Sequence, residues 1–431
     1  MNRQILRLTI PNIVTNLTVP LLGMADMAIA GHKGGADYIG AVTIGTAIFN
    51  FIYWNFGFLR MGTSGFAAQA CGERNSDEQM AVMLRALALS LLLGLIIIVL
   101  QKPLGRMALY LLNSGEVGQA AGDYFRVRVW SAPATLALYV FKGWFIGMQN
   151  TRIPMWVSIG GNVLNIGASL FFVSVMEAGV AGIALGTAIS EYISLIVCVI
   201  VWLARYGYLS RYIDLVRIFD MRKMAAFFAV NGDIFIRTLC LVAVTTFFVS
   251  ASAARGAEVL AVNSLSMQLF TLFSYFMDGF AYSAEALTGR FTGEGDKRAL
   301  MLSTTLILRW GVGMAIFFTM LYGVVLRPVM RLFTDDDSLL EAVMANRLWI
   351  MAVPLTGFLA FIYDGILVGA TLSAIMRNVM IVAALLFFVI YHLLGPMLGN
   401  DALWCAFIIY LLARGVLQMW LSCRSGKIPL K

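Results

Sequence analysis

The sequence has few of the residues from which enzyme active sites and metal centres are built. Its 431 residues include only two histidines and five cysteines. His32 and His392 stand at the ends of hydrophobic segments, and the cysteines are scattered singly, which favours neither a metal site nor a disulfide framework. The sequence also lacks a Walker motif for ATP and the aspartate clusters with which membrane prenyltransferases hold magnesium. We therefore expect no enzyme activity, no catalytic residues, no metal and no cofactor.

Charged residues are scarce too. They make up 13% of the chain, against 60% hydrophobic residues, a balance that predicts a protein embedded in lipid. A membrane-spanning helix needs about 20 largely apolar residues. At that length the sequence predicts an all-α membrane protein with twelve transmembrane helices, near residues 4–30, 38–67, 80–100, 121–147, 153–176, 180–206, 221–250, 258–288, 298–326, 338–369, 373–394 and 400–422.

The two halves of the chain resemble each other. The segment Gly72-Glu-Arg-Asn75 returns as Gly293-Glu-Gly-Asp296, 221 positions later (293 − 72), and the same displacement carries Pro133 onto Pro354. In a hydrophobic chain, such a duplication indicates a carrier whose substrate binds between two homologous lobes. We predict two six-helix lobes around a central cleft, joined by a cytoplasmic linker, over residues 1–206, 221–431 and 207–220 respectively.

The distribution of charge orients the chain in the membrane. Loops after even-numbered predicted helices carry basic residues such as Arg74, Arg152 and Arg290, whereas the opposite loops carry acids such as Glu177 and Asp401. Both ends are basic as well, the last one through Arg424, Lys427 and Lys431. The positive-inside rule then places both termini in the cytoplasm and the chain in the inner membrane as a multi-pass protein. Because this bias accounts for the net charge of +8, we expect no nucleic-acid partner, and we expect a monomer without a cleavable signal peptide.

Asp26 is the first candidate for an ion-coupling residue. It lies late in the first predicted helix, where an ionisable side chain is costly and therefore usually functional. Pro11 and Pro20 precede it and are predicted to bend this helix. A buried carboxylate of this kind can carry a proton or a sodium ion. The alternative is an aspartate near the outer mouth that makes a purely structural bond.

Polar side chains on the fifth and sixth predicted helices are candidate partners for Asp26. Asn162, Asn165 and Ser169 are spaced three and four apart and share one helical face, and Thr187 follows on the next helix. Amide and hydroxyl oxygens suit a monovalent cation or a proton relay. Side chains at this spacing also hold membrane helices together, so that structural role stays open.

A second polar set lies in the C-terminal half. Asn231, Asp233 and Arg237 fall on the seventh predicted helix, where the last two are one turn apart and able to pair. Asp278 and Glu285 lie seven positions apart on the eighth. One arginine facing three acids would form a compact network if the two helices pack together. Such a network could be a structural clasp, a proton store or a conformational latch.

Several strings resemble one transporter family. Asp26–His32, Gly147–Pro154, Asn231–Leu239 and Gly279–Ala286 are similar to the corresponding segments in the DinF branch of the multidrug and toxic compound extrusion (MATE) transporters. The similarity extends over essentially the whole chain. It implies a twelve-helix fold of two lobes facing a central cleft. It also implies secondary active export of organic, often cationic, compounds in exchange for protons or sodium ions, by rocking of the lobes.

The resemblance also assigns roles to residues. Asp26 matches the acid held to be central to coupling, Asn165 and Thr187 match its polar partners, and Pro11 matches a proline linked to helix bending. Ser169 stands where family members commonly have a second aspartate. Because this change leaves one carboxylate to neutralise a bound cation, it weakens a sodium site and favours protons.

A lipid flippase is the main alternative function. A flippase for lipid-linked sugars or other amphipathic lipids would need a cleft ringed with cationic side chains to hold a pyrophosphate. Few bases fall within the predicted helices, and Lys142 and Arg237 are the main ones.

Overall fold

The computed structural model describes residues 1–111, 117–214, 218–331, 335–426 and 428. Within these ranges the chain is helical throughout, apart from short turns, and it contains no β-strand. This confirms the predicted all-α class. The linker residues 215–217 and the basic residues Lys427 and Lys431 lie outside the described ranges, so the predictions that rest on them stay predictions.

The N-terminal half contains eight α-helices in its described residues. They are α1 (Asn2–Asn55), α2 (Phe58–Gly72), α3 (Ser76–Val99), α4 (Gln101–Leu111), α5 (Gly118–Arg128), α6 (Ala132–Gly147), α7 (Arg152–Ser174) and α8 (Gly179–Tyr206). Helix α1 continues through Pro11 and Pro20, and its backbone leaves helical geometry at Gly35, where φ is 63°. The short helix α4 was not predicted from the sequence.

The C-terminal half contains seven helices in its described residues. They are α9 (Met221–Ala253), α10 (Ala257–Glu294), α11 (Lys297–Arg331), α12 (Asp337–Ala345), α13 (Arg347–Gly369), α14 (Ser373–Leu398) and α15 (Asn400–Arg424).

Eleven helical segments of the described chain are long and apolar enough to cross a membrane. The twelfth predicted span, near 121–147, is interrupted by a 3₁₀ turn at Val129–Ser131 between α5 and α6. Pro133 occupies the first turn of α6, where its missing N–H group costs no helical hydrogen bond. The twelve predicted spans are helical apart from short breaks. One break divides the span near 121–147, another separates α1 from α2 within 38–67, and a third separates α12 from α13 within 338–369.

The internal repeat is visible in the backbone. Eight of the ten described residues with positive φ fall in pairs separated by 221 or 222 positions, which shows that the two halves turn at equivalent places. The pairs are Gly35 with Gly256, Arg74 with Gly295, Gln149 with Thr371, and Glu177 with Gly399. The sequence echo at Gly72–Asn75 thus marks one of four matching turns. Asn75 and Asp296 each also accept a hydrogen bond from a backbone N–H of the helix that follows.

The chain forms two compact units. One contains Val14–Asn231, and the other contains Met1–Ile13 together with Gly232–Lys431. The first thirteen residues therefore belong with the C-terminal half; for example, Thr9 Oγ1 lies 2.7 Å from Ser283 Oγ. The first turns of α9 belong with the N-terminal half. The predicted lobe boundaries at residues 206 and 221 stay predictions.

Ile218, near the C-terminal end of the linker, is hydrogen-bonded to α3. Arg85 Nε donates a hydrogen bond of 2.8 Å to the carbonyl of Ile218, and Glu78 bonds both Arg85 and Lys223. The backbone N–H groups of Lys223 and Arg222 bond to Asp220 and hold the pKa of that carboxyl below its usual value. Asp220 thereby caps the start of α9.

Candidate ion-coupling site

Asp26 is a buried acid in the first membrane-spanning segment. Its side chain lies on α1 within the span Asn2–His32, and the residue is 8% exposed. Its Oδ1 atom is buried and has no hydrogen-bond partner among the residues that the structure describes. A buried polar atom without a partner is uncommon, because leaving it unpaired costs free energy. The carboxyl group is therefore available to bind a proton or a cation.

The predicted partners on α7 and α8 come together. Ser169 Oγ lies 3.4 Å from both Asn165 Oδ1 and the carbonyl oxygen of Ile183, and Thr187 Oγ1 donates to the same carbonyl at 3.0 Å. All three polar residues are buried. The helices approach closely because Gly186 has no side chain, and a Cβ atom there would collide with Ser169. The polar face predicted from the spacing is thus a helix–helix contact.

Asp26 stands apart from this cluster. Among the described residues, no hydrogen bond joins it to Asn165, Ser169 or Thr187. Helix α7 does reach α1, because Asn162 Nδ2 donates to the carbonyl of Thr18 at 3.3 Å. The charge that acts on Asp26 belongs to a residue that the sequence reasoning missed, Arg128.

Arg128 forms a partly buried ion pair with Glu191. The guanidinium Nη2 lies 3.0 Å from Glu191 Oε1, and the two side chains are only 13% and 18% exposed. Thr135 donates a hydrogen bond to the other carboxylate oxygen of Glu191. The guanidinium also lies 5.7 Å from the ring centre of Phe49, within cation–π distance. Three segments, α1, α5–α6 and α8, are thereby held around one positive charge.

A signal for this pair was present in the sequence. Glu191 is a lone acid in the apolar run of α8, and an ionisable residue at membrane depth is a functional candidate by default. Lys142, a base noted above within a predicted helix, also acts electrostatically on Glu191. Thr135 and Lys142 are seven residues apart on α6 and lie on one side of that helix, and Arg128 meets Thr135 at Glu191.

The charges of the C-terminal unit are arranged differently from the prediction. Asp364 on α13 accepts hydrogen bonds from Arg237, Arg414 and Gln418, the last at 2.7 Å. Arg414 and Gln418 are 2% and 0% exposed, which makes this the most deeply buried charge cluster of that unit. Asp278 acts electrostatically on Arg414. The positive charges of the two arginines are thus balanced by the negative charges of Asp364 and Asp278.

The predicted pairing of Arg237 with Asp233 is wrong. Asp233 instead accepts a hydrogen bond of 2.7 Å from Ser373 Oγ and forms an ion pair with Arg377, both on α14. One turn of spacing puts two side chains on the same side of a helix, but it does not decide which neighbouring helix each one meets. Here one side chain faces α14 and the other faces α13.

The other predicted members of the C-terminal network are also dispersed. Asn231 belongs to the N-terminal unit, where its Nδ2 donates to the carbonyl of Phe227 at 2.7 Å and its side chain lies against Gly62. Glu285 is buried on α10, and its backbone carbonyl touches Gly369. The described residues therefore do not form a single compact network around Arg237.

Comparison with known proteins identifies the family. The MatE family model matches residues 11–171 and 234–393, one match in each half of the chain. The DNA damage-inducible protein F of Escherichia coli (strain K12) is 33% identical over 413 residues, which cover 95% of this chain and 89% of that protein. The chain belongs to the MATE family of multidrug efflux transporters. The resemblance to the DinF branch is thereby confirmed.

More distant relatives agree in fold. A probable multidrug resistance protein NorM from Photorhabdus laumondii is 21% identical, over 78% of this chain and 75% of that protein. The crystal structure of a MATE transporter in a bent conformation superposes with a TM-score of 0.84 at 21% identity, covering 99% of this chain and 96% of that one. A MATE-family transporter in an outward-facing conformation gives a TM-score of 0.82. The family and fold are those of multi-pass membrane transporters with twelve helices in two lobes.

Proposed function

We propose that this MATE transporter exports small organic, often cationic, compounds across the inner membrane in exchange for protons, with Asp26 as the coupling acid. The observation that carries the proposal is the buried Asp26 carboxyl in a membrane-spanning segment. In the described part of the chain its Oδ1 atom has no hydrogen-bond partner. An ionisable group in this position is costly to keep unless it is used. Binding and releasing the coupling proton is the function that we propose for this carboxyl group.

Protons are favoured over sodium ions because the predicted oxygen ligands on α7 and α8 are not bonded to Asp26. A hard cation requires several oxygen ligands and charge neutralisation. Position 169 is serine, so it adds no carboxylate, and the hydroxyls of Ser169 and Thr187 already bond within the α7–α8 contact. A proton needs only one carboxylate oxygen.

The transport cycle follows from competition between a proton and a cationic compound for the carboxylate of Asp26. Protonation of Asp26 from the outside neutralises it and weakens its attraction for a cationic compound, which then leaves. Rocking of the lobes exposes the site inward, where the proton leaves and the charged carboxylate favours new substrate. The proton gradient can drive this cycle only because the two conformations differ in their proton affinity. Both termini lie in the cytoplasm, and one chain suffices for the cycle.

Transport in proteoliposomes tests the proposal. Purified wild type, Asp26→Asn and Asp37→Asn proteins are reconstituted, and efflux of a fluorescent organic cation is followed under a pH gradient and a sodium gradient imposed separately. Asp37 is the matched control because it is an exposed acid on the same helix. We expect efflux driven by the pH gradient in wild type and Asp37→Asn, and none in Asp26→Asn, with all three equally folded by thermal melting.

Other results would point elsewhere. Efflux that follows only the sodium gradient would change the coupling ion. Efflux that is unchanged in Asp26→Asn would remove Asp26 from coupling. If neither gradient drives efflux, flipping of a fluorescent lipid would be assayed next. The bases of the C-terminal unit argue against flipping, because Arg237 and Arg414 already bond Asp364 instead of standing open to a pyrophosphate.

A further inference from the structure

Helix α4 begins where the chain leaves the hydrocarbon core of the membrane. Helix α3, Ser76–Val99, is a candidate membrane span of 24 residues. At about 1.5 Å per residue, this length is enough to cross a hydrocarbon core of about 30 Å. Helix α4, Gln101–Leu111, starts two residues after α3 ends. It therefore starts at the membrane surface, which is the outer surface in the predicted orientation.

One face of α4 is packed onto the N-terminal unit. Gly105 is buried, and a Cβ atom at this position would come within 2.9 Å of the Phe125 ring on α5. Leu104, Ala108 and Leu109 pack against the hydrophobic core of the same unit. These contacts fix the rotation of α4 about its axis, and they decide which side chains point away from the protein.

The opposite face of α4 carries two basic residues beside apolar ones. Lys102, Arg106 and Tyr110 are spaced four apart and form one exposed row, in which Tyr110 is 85% exposed. The neighbouring row contains Pro103 and Met107, and Met107 is 56% exposed. Among the described residues, neither basic side chain has a hydrogen bond or an ion pair. This pattern is typical of a helix that lies in a membrane surface, with its bases at the headgroups.

The internal repeat provides a comparison for Arg106. It corresponds to Arg327 by the displacement of 221 (327 − 106), and Arg327 forms an ion pair with Glu341 of α12. The same displacement places Ala120 of α5 where the second half has Glu341 (341 − 221). The N-terminal half thus has the arginine without this acid, so the guanidinium of Arg106 is accessible to an anion from outside the chain.

We propose that the exposed face of α4 binds the phosphate group of an anionic phospholipid, with Lys102 and Arg106 as the binding residues. A guanidinium group can hold two phosphate oxygens, and the ammonium group of lysine adds a second positive charge. Tyr110 suits the level of the headgroups, where tyrosine is enriched in membrane proteins. A lipid is favoured over a soluble phosphate because the exposed Met107 lies beside the two bases and can contact acyl chains.

Photocrosslinking from α4 in the full-length protein tests this proposal. Tyr110 is replaced by the photoreactive residue p-benzoylphenylalanine, and the protein is reconstituted into vesicles of equal parts phosphatidylglycerol and phosphatidylcholine. The lipids captured on illumination are identified by mass spectrometry. Because basic side chains near a membrane surface attract anionic lipids, we expect phosphatidylglycerol to be enriched about five-fold over phosphatidylcholine.

Charge variants separate a binding site from general contact with lipid. The enrichment should disappear in the double variant Lys102→Gln/Arg106→Gln and persist in Lys102→Arg/Arg106→Lys, which keeps both charges. Both double variants should melt with the parent protein, because neither side chain bonds another described residue. Equal capture of the two lipids in the parent protein, or enrichment that survives the glutamine variant, would overturn the proposal.

A crosslinker in the second half of the chain is the matched control. Val324 of α11 is 80% exposed and lies close in sequence to Arg327, which is already paired. A crosslinker at this position should capture the two lipids equally, and the same five-fold enrichment there would contradict a site specific to α4. Loss of the enrichment at position 110 with glycerol phosphate, but not with sodium chloride of equal ionic strength, would overturn the choice of a lipid.

Discussion

Gly143 and Gly365 stand 222 positions apart and make the same close contact, each within its own half of the chain. A Cβ atom on Gly143 would collide with the backbone carbonyl of Arg60, and one on Gly365 would collide with that of Ala281. Arg60 and Ala281 are themselves 221 positions apart (281 − 60). The duplication thus preserves a backbone-to-backbone seam, α2 against α6 in one half and α10 against α13 in the other. Small residues allow this approach between membrane helices.

This seam predicts that neither glycine tolerates alanine. Gly143→Ala and Gly365→Ala should each lower the free energy of unfolding by about 1–3 kcal/mol, because the added methyl group meets rigid backbone. Thermal melting in detergent measures the effect. Gly160→Ala and Gly313→Ala are matched controls, since a Cβ atom at either position meets nothing within 4 Å. Equal melting temperatures for these variants and the controls would contradict the close backbone contact at Gly143 and Gly365.

The Asp364 cluster predicts a large cost for losing the carboxylate that bonds its two arginines. Asp364→Asn leaves Arg237 and Arg414 buried without the carboxylate that bonds both, which should cost about 3–5 kcal/mol of stability. Gln418→Ala removes one of the hydrogen bonds and should cost about 1–3 kcal/mol. Glu258→Gln, an exposed acid of the same unit, should be neutral. An Asp364→Asn protein that melts with wild type would show that the cluster contributes little to stability.

Double-mutant cycles test whether Asp233 pairs with Arg377 or with Arg237. Asp233→Asn combined with Arg377→Gln should show a coupling energy of at least about 0.5 kcal/mol in unfolding free energy, because the two side chains form an ion pair. Asp233→Asn combined with Arg237→Gln should be additive, since Arg237 bonds Asp364. Coupling between Asp233 and Arg237, with additive effects for Asp233 and Arg377, would instead support the ion pair within one helix that one-turn spacing suggests.

Much of the fold was predictable from local pattern. Apolar runs of spanning length gave the helices, and the shared displacement of 221 gave the duplication, which the paired turns at Gly35 and Gly256 repeat in the backbone. The 3₁₀ turn at Val129–Ser131 and the short helix α4 escaped prediction. Both depend on details of turn geometry that hydrophobicity does not encode.

The candidate site was predictable in part. Asp26 stands out because a lone acid in an apolar segment is costly wherever that helix packs. Its electrostatic partner Arg128 could not be chosen from sequence, because the choice depends on which faces of α1, α5 and α8 meet. The same limit explains why Asp233 was matched with Arg237, its nearest neighbour on the helix, when its partners lie on α14.

The most direct test of the central claim is the proton balance of substrate binding. Linkage requires that a compound competing with a proton for Asp26 releases that proton when it binds. In weakly buffered detergent solution near the midpoint of Asp26, where about half of the chains carry the proton, addition of a transported organic cation to wild-type protein should release up to about half a proton per chain. Asp37→Asn should do the same, and Asp26→Asn should bind the compound without release. Equal proton release by Asp26→Asn and wild type would contradict the assignment of Asp26 as the coupling acid.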